Sequence, residues 1–149
     1  MKIYLAADHR GFKLKEELKD FLGSKNLEVV DLNPQFVDLD DYPDVASGLA
    51  KAVLGDAGSL GIILCGSGAG ADIASNKFKG IRSVLGFSAP QVQAARHDDN
   101  VNVLTLSADY MDLATANILT STFIETEFDS GEERYVRRLK KIEEIEKTP

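Results

Sequence analysis

A three-layer α/β fold, a five-stranded parallel sheet with helices on both faces, is what this sequence predicts, and three observations carry the prediction. Five short apolar runs recur along the chain, and amphipathic stretches of helical period separate them. The third run, "LGIILC", passes directly into "GSGAGADIASNK", a glycine turn of the kind that joins a strand to a helix. Parallel neighbours require right-handed crossovers through helices, so this alternation gives a Rossmann-like arrangement.

The runs "KIYLAAD", "LEVVDL", "LGIILC", "IRSVLGF" and "VNVLTLS" each read as a strand of about six residues, apolar enough to be covered on both faces. After the first, "FKLKEELKDFLGSK" places Phe12, Leu14, Leu18, Phe21 and Leu22 on one helical stripe. After the second, "PDVASGLAKAVLG" does the same with Val45, Leu49, Ala52 and Val53. A third helix follows the glycine turn, and a fourth ends near His97. The segments "DLATANILTSTFIETEF" and "EERYVRRLKKIEEIEK" read as helices with no strand after them. The last is an extra C-terminal helix whose Val136, Leu139, Ile142 and Ile145 suit either this chain's own sheet or a partner subunit. The longest irregular segment, "NPQFVDLDDYPD" from Asn33 to Asp44, is acidic; it is either a functional loop or a solvated connection. At 149 residues, 44% of them hydrophobic, the chain reads as one domain spanning 1–149.

Charge and hydropathy exclude several classes of partner. A formal net charge of -7 leaves no basic face for a phosphate backbone, so no nucleic acid is expected. No apolar run approaches the roughly 20 residues that span a bilayer, and "MKIYLAADHR" begins with a strand rather than a leader, so no membrane and a cytoplasmic location are expected. One cysteine forms no internal disulfide, and composition leaves Cys65 as either a buried small apolar residue or a reactive thiol.

Ligands of open parallel sheets bind beyond the carboxyl ends of the strands. Asp8 and His9 follow the first strand, Cys65 to Gly70 follow the third, and His97 to Asn100 are assigned to the same rim. The glycine turn fails as a dinucleotide fingerprint, because it follows the third strand and no Asp or Glu stands between Asp72 and Asp98. It also lacks the Gly-Lys-Ser/Thr of a nucleoside-triphosphate loop. What remains is a cradle of backbone N–H groups for an oxyanion or phosphate, or a tight turn with no ligand. At such a helix start the dipole lowers a thiol's pKa, which makes Cys65 a candidate base or nucleophile, with the Ser67 hydroxyl beside it. Both histidines stand next to carboxylates, His9 after Asp8 and His97 before Asp98 and Asp99, which suits proton transfer. Arg134 and Arg138 share a helix face and either grip a phosphate or belong to a salt-bridged solvent face. His9, Cys65 and His97 lack metal-ligand spacing, so no metal is expected.

Four stretches together resemble the ribose-5-phosphate isomerase B family, which is related to the galactose-6-phosphate isomerase subunits. They are "AADHRGFKLKEEL", "DYPDVA", "GIILCGSGAGADIASNKFKGIR" and "FDSG…RYVRR", and they cover nearly the whole chain. The resemblance implies an isomerase without metal or cofactor that interconverts a phosphorylated aldose and ketose, pentose or hexose, through an enediolate, with ribose 5-phosphate to ribulose 5-phosphate as the default. It implies Cys65 as the base next to the carbonyl, Ser67 as a proton carrier, and Gly66, Gly68, Ala69 and Gly70 as the oxyanion turn. Asp8, His9 and Tyr42 match substrate-contacting positions, and Arg134 and Arg138 match a phosphate-binding pair. It further implies a homodimer or tetramer with each site built from two subunits.

Three positions depart from the family pattern. The ring-opening histidine aligns with Asp98, one place after His97, so both join the catalytic set, and Asp99 joins the substrate-binding set. Many members carry a phosphate-binding arginine after the fifth strand, where this chain has Asp109, a carboxylate expected to repel phosphate. Glu132 and Glu133 form a two-residue insertion before Arg134. These departures also allow a catalytically silent sugar-phosphate-binding or regulatory subunit of the same fold.

Overall fold

The structure, a computed structural model, describes residues 1–25 and 27–148. Each of the five apolar runs contains a strand: β1 (Lys2–Ala7), β2 (Glu28–Asp31), β3 (Leu60–Cys65), β4 (Ser83–Leu85) and β5 (Val103–Ser107). They pair in parallel in the order β2-β1-β3-β5-β4. The connections are α1 (Phe12–Ser24), α2 (Tyr42–Gly55), α3 (Ala69–Ser75) and α4 (Ala89–Asp99), followed by α5 (Leu113–Glu125) and α6 (Glu133–Ile145). The α/β expectation therefore holds. β3 pairs on both sides and is buried along its length, whereas β2 and β4 are edge strands of 4 and 3 residues, shorter than the sequence pattern suggests. An edge strand pairs on one side only, and its outer residues here stay partly exposed.

The alternation of side chains along β3 divides the core. Ile62 and Leu64, with Ile3 and Leu5 of β1, meet Leu18 of α1, Val92 of α4 and Phe123 of α5. Ile63 and Cys65 face the opposite layer, packed with Leu49 and Ala50 of α2 and Ala71 of α3. The last strand residue thus carries its thiol into the α2–α3 layer.

The helix α6 lies outside this sandwich. It packs on α4, and Val136 and Leu139 are half-buried while Ile142 and Ile145 are 37% and 71% exposed. Beyond its end, Glu146 accepts a hydrogen bond from the Gly80 N–H at 2.9 Å. Of the two placements the sequence allows for this helix, its own sheet is therefore not used.

Lys15 of α1 is fully buried, and its Nζ lies 2.7 Å from Asp31 and 2.6 Å from Glu16, with the Asn33 carbonyl at 3.1 Å. Burial alone would raise the Asp31 carboxyl, but hydrogen bonds from Lys15 and Lys19 outweigh it and hold the group below its usual value. Asn33 in turn hydrogen-bonds Ala7 through both ends of its amide, so the lysine fixes the start of the acidic loop against the end of β1. Replacing Lys15 by Met removes the main partner of a nearly buried carboxylate and is expected to cost about 3 kcal/mol. The check is a lower urea midpoint at unchanged slope. Because the Asp31 pKa is depressed, the stability it contributes is present above about pH 4 and lost as pH falls through the depressed value.

Candidate active site

The chain leaves β1 toward β2 on one side, and β3 lies on the other, so the carboxyl ends of β1 and β3 border the crevice where the strand order reverses. A cavity of about 390 Å³ opens there. From β1 it takes Asp8, His9 and Arg10, and from β3 and its turn Cys65, Gly66, Ser67 and Gly70; Leu39, Asp40, Asp41 and Tyr42 close it from the acidic loop and the start of α2.

Each group is held by its neighbours. Asp8 is 4% exposed; its N–H donates to the Leu64 carbonyl, and its Oδ1 accepts from the Arg10 and Gly11 N–H groups at 3.0 and 2.9 Å. Burial raises its carboxyl pKa in spite of those two bonds. Asp40 Oδ1 accepts from the His9 backbone N–H at 2.7 Å and lies 2.9 Å from His9 Nδ1. The carboxylate therefore keeps a proton on Nδ1 and raises the imidazole pKa.

In the turn, Gly68 adopts φ 81°, a conformation open to glycine at little cost, and so swings the chain from β3 into α3. A side chain at Gly70 would strike the Tyr42 ring, 2.6 Å from where its Cβ would lie, so the glycine lets the tyrosine cover the turn. The backbone N–H groups of Ala71 and Gly68 favour the charged form of the Cys65 thiol. The sequence suggests a lowered thiol pKa on this account, but the structure corrects it. Burial pushes the thiol up and outweighs the pull of these N–H groups and of the Arg10 charge, while Asp8 pushes it further up.

Of the residues singled out in the sequence, Asp8, His9, Tyr42, Cys65, Gly66, Ser67 and Gly70 meet at this cavity. Gly68 is buried behind it, and Ala69 is exposed off its wall. His97, Asp98 and Asp99 close α4 and precede β5, which puts them at the amino end of the parallel sheet, opposite Cys65. Their expected place on the carboxyl rim is thus corrected. They belong to a second cluster: His97 Nδ1 lies 2.7 Å from Asp98 Oδ1, and its ring meets Tyr135 edge-on at 5.8 Å. The hydrogen bond from His97 holds the Asp98 carboxyl below its usual range. The Arg134 guanidinium lies 5.2 Å from the Tyr135 ring centre, and Arg138 sits one turn further along the exposed face of α6. Glu132 of the insertion caps α6, accepting from the Arg134 N–H at 3.1 Å.

Sequence reasoning missed Arg10, Leu39, Asp40 and Asp41. The acidity of the loop was the available signal for the last two, and Arg10 stands in the quoted "AADHRGF". Asp109 does not line the cavity; its carboxylate pairs with Arg10.

The chain is similar to known proteins along nearly its whole length. A family model described as Ribose/Galactose Isomerase matches residues 3–142. The chain is similar to the probable ribose-5-phosphate isomerase B of Mycoplasma pneumoniae, 39% identical over 142 residues that cover 94% of this chain and 91% of the relative. It is also similar to ribose-5-phosphate isomerase B of Escherichia coli, 34% identical over 145 residues, 97% of this chain and 96% of that one. The crystal structure of ribose-5-phosphate isomerase B from Mycoplasma genitalium with bound ribulose-5-phosphate superposes with a TM-score of 0.91 at 37% identity, covering 99% of this chain and 97% of that one.

The Asp40–His9 pair has a measurable consequence. In an NMR titration His9 is expected to change charge above its ordinary value of about 6.5, and Asp40→Asn to return it toward that value. A raised pKa means that the pair stabilises the loop below about pH 6.5 and that this contribution fades as pH rises through the raised value.

Proposed function

Because this chain belongs to the ribose/galactose isomerase family, we propose that it is an aldose–ketose isomerase, working as one domain on a phosphorylated sugar, with ribose 5-phosphate and ribulose 5-phosphate as the pair it interconverts. The observation that carries the reading is the meeting of Cys65, Ser67 and the glycine turn with Asp8, His9 and Tyr42 in one cavity at the β1–β3 crevice. In the open-chain aldose, the Cys65 thiolate takes the proton from C2. The electron pair forms the C1–C2 double bond of an enediolate, and the negative charge moves to O1. The turn after β3 supplies N–H groups to that oxygen, an arrangement worth about 3 kcal/mol in enzymes that use it. Ser67 moves a proton between O1 and O2, and the Cys65 thiol returns its proton to C1 to give the ketose.

The thiol's raised pKa shapes this chemistry. A less acidic thiol is less often ionised at neutral pH, but its thiolate is a stronger base toward carbon. A thiol that must stay reduced suits a reducing compartment, and we place the protein in the cytoplasm; among the described residues no helix is long and apolar enough to cross a membrane.

His97, Asp98, Asp99, Arg134 and Arg138 enter the reaction through a second copy. Within one chain they lie at the far end of the sheet, and α6 leaves Ile142 and Ile145 uncovered. A homodimer in which this cluster of one copy meets the Cys65 cavity of the other gives ring opening to His97 and Asp98 and phosphate binding to the arginines.

In deuterated water the protein is expected to exchange the C2 proton of ribose 5-phosphate, with a rate still rising past about pH 8.5, and Cys65→Ala is expected to abolish exchange. Absence of exchange in the unaltered protein rejects the reading. For the shared site, co-refolding Cys65→Ala with the Arg134→Ala/Arg138→Ala variant is expected to restore activity that neither shows alone.

A further inference from the structure

We infer that Arg10, oriented by Asp109, is a specificity-determining residue that selects a phosphorylated substrate from the same subunit as Cys65; this rests on the isomerase reading above. Three features of the site carry the inference: the charge balance of the cavity, the room left by Gly66, and the ion pair behind the arginine.

The cavity wall holds three carboxylates, Asp8, Asp40 and Asp41. Facing them are His9, whose charge varies with pH and which is already engaged by Asp40, and one permanent cation, Arg10. A phosphate monoester entering this wall meets repulsion from three sides unless Arg10 answers it. The arginine is fixed for that purpose along its whole length. Its backbone N–H is held by Asp8. Its side chain lies across Gly66, where a Cβ would stand 2.6 Å from Nε and force the guanidinium away. Its Nη2 donates to Asp109, whose own N–H donates to the Gly66 carbonyl at 3.1 Å.

The backbone end of the arginine is therefore tied to Asp8, and its guanidinium, through Asp109, to the turn after Cys65. Among the described residues the bond to Asp109 is the side-chain hydrogen bond it makes, and more than half of the side chain is exposed. A guanidinium carries five N–H donors, so one tethered nitrogen leaves a forked edge for phosphate oxygens. Asp109, outside the cavity wall, does not meet the ligand. It acts through Arg10 by holding the fork in place, which lowers the ordering cost of binding.

The test compares the unaltered protein with Arg10→Ala, Arg10→Lys and Asp109→Ala, using ribose 5-phosphate and unphosphorylated ribose as substrates and inorganic phosphate as inhibitor. Loss of one charge-assisted contact is expected to raise KM for ribose 5-phosphate and the phosphate inhibition constant about tenfold in Arg10→Ala, with kcat moving less. In the same variant kcat/KM is expected to fall much more for ribose 5-phosphate than for ribose. Arg10→Lys recovers part of the loss, since it keeps the charge without the fork. Asp109→Ala raises the same two constants by a smaller factor. The side chains of Arg10 and Asp109 are both partly solvent-exposed, so the fold does not depend on them. Unchanged constants in Arg10→Ala, or equal losses on the two sugars, would falsify the assignment, and unchanged constants in Asp109→Ala reject its positioning role. If the unaltered protein turns over neither sugar, the isomerase reading fails by itself. Calorimetric titration with inorganic phosphate then still decides on Arg10: weaker binding in Arg10→Ala supports it, and equal binding overturns it.

Discussion

The contact between Gly11 and the Leu64 peptide is the constraint on which the site depends. A Cβ at residue 11 would lie 2.5 Å from the Leu64 carbonyl oxygen, so only glycine lets the turn after β1 come down onto the end of β3. The Asp8 N–H bonds the same carbonyl, and the Asp8 carboxylate holds the N–H groups of residues 10 and 11. This close approach places three consecutive side chains, Asp8, His9 and Arg10, at fixed positions beside Cys65. A side chain at residue 11 would push α1 and the turn outward together, and the crevice at the point of strand reversal would lose one of its two walls.

Carboxylates do most of the positioning around that crevice, each with a different donor. Asp31 holds Lys15, which ties the acidic loop to α1; Asp40 holds His9; Asp109 holds Arg10. The chain's excess of acidic residues is in this respect part of the site. Each pair is formed between segments far apart in sequence, so each also fixes one loop against another. The exposed pairs contribute little stability on their own, about 0 to 1 kcal/mol, and their effect is orientation. The buried lysine is different, because Lys15 has no access to water and its partners must be present for it to remain there.

How much of this was legible follows from how local each signal is. The five strands and the turn at Gly66–Gly70 are written in contiguous residues, so hydrophobic period and glycine spacing suffice to find them. The Asp40–His9 and Arg10–Asp109 pairs join residues 31 and 99 positions apart, and no local pattern announces them. The acidic loop was visible as acidic, yet which of its carboxylates turns inward depends on Lys15 and Asn33 anchoring its start. The thiol pKa was misjudged for a similar reason. The helix start and its N–H groups were readable, but the burial of Cys65 beneath α2 and α3 is a tertiary fact and the larger effect. The rim assigned to His97 was an error of direction: in a parallel sheet, residues that lead into a strand lie at its amino end.

Five residues of β5 at about 3.3 Å each separate the two rims by roughly 16 Å, more than a pentose phosphate held at Cys65 can span. One copy therefore holds Cys65 at one rim and the His97–Asp98 cluster at the other. The proposed two-fold pairing would bridge that distance without new structure, because an isologous contact that places one copy's cluster against its partner's cavity does the same in reverse. In the proposed homodimer the anion contact would be divided as well: Arg134 and Arg138 would arrive from the second copy, whereas Arg10 stands at the cavity of the same chain as Cys65. On that division, as proposed, the subunit's own arginine would meet the phosphate first and the partner's helix would add its two cations afterwards.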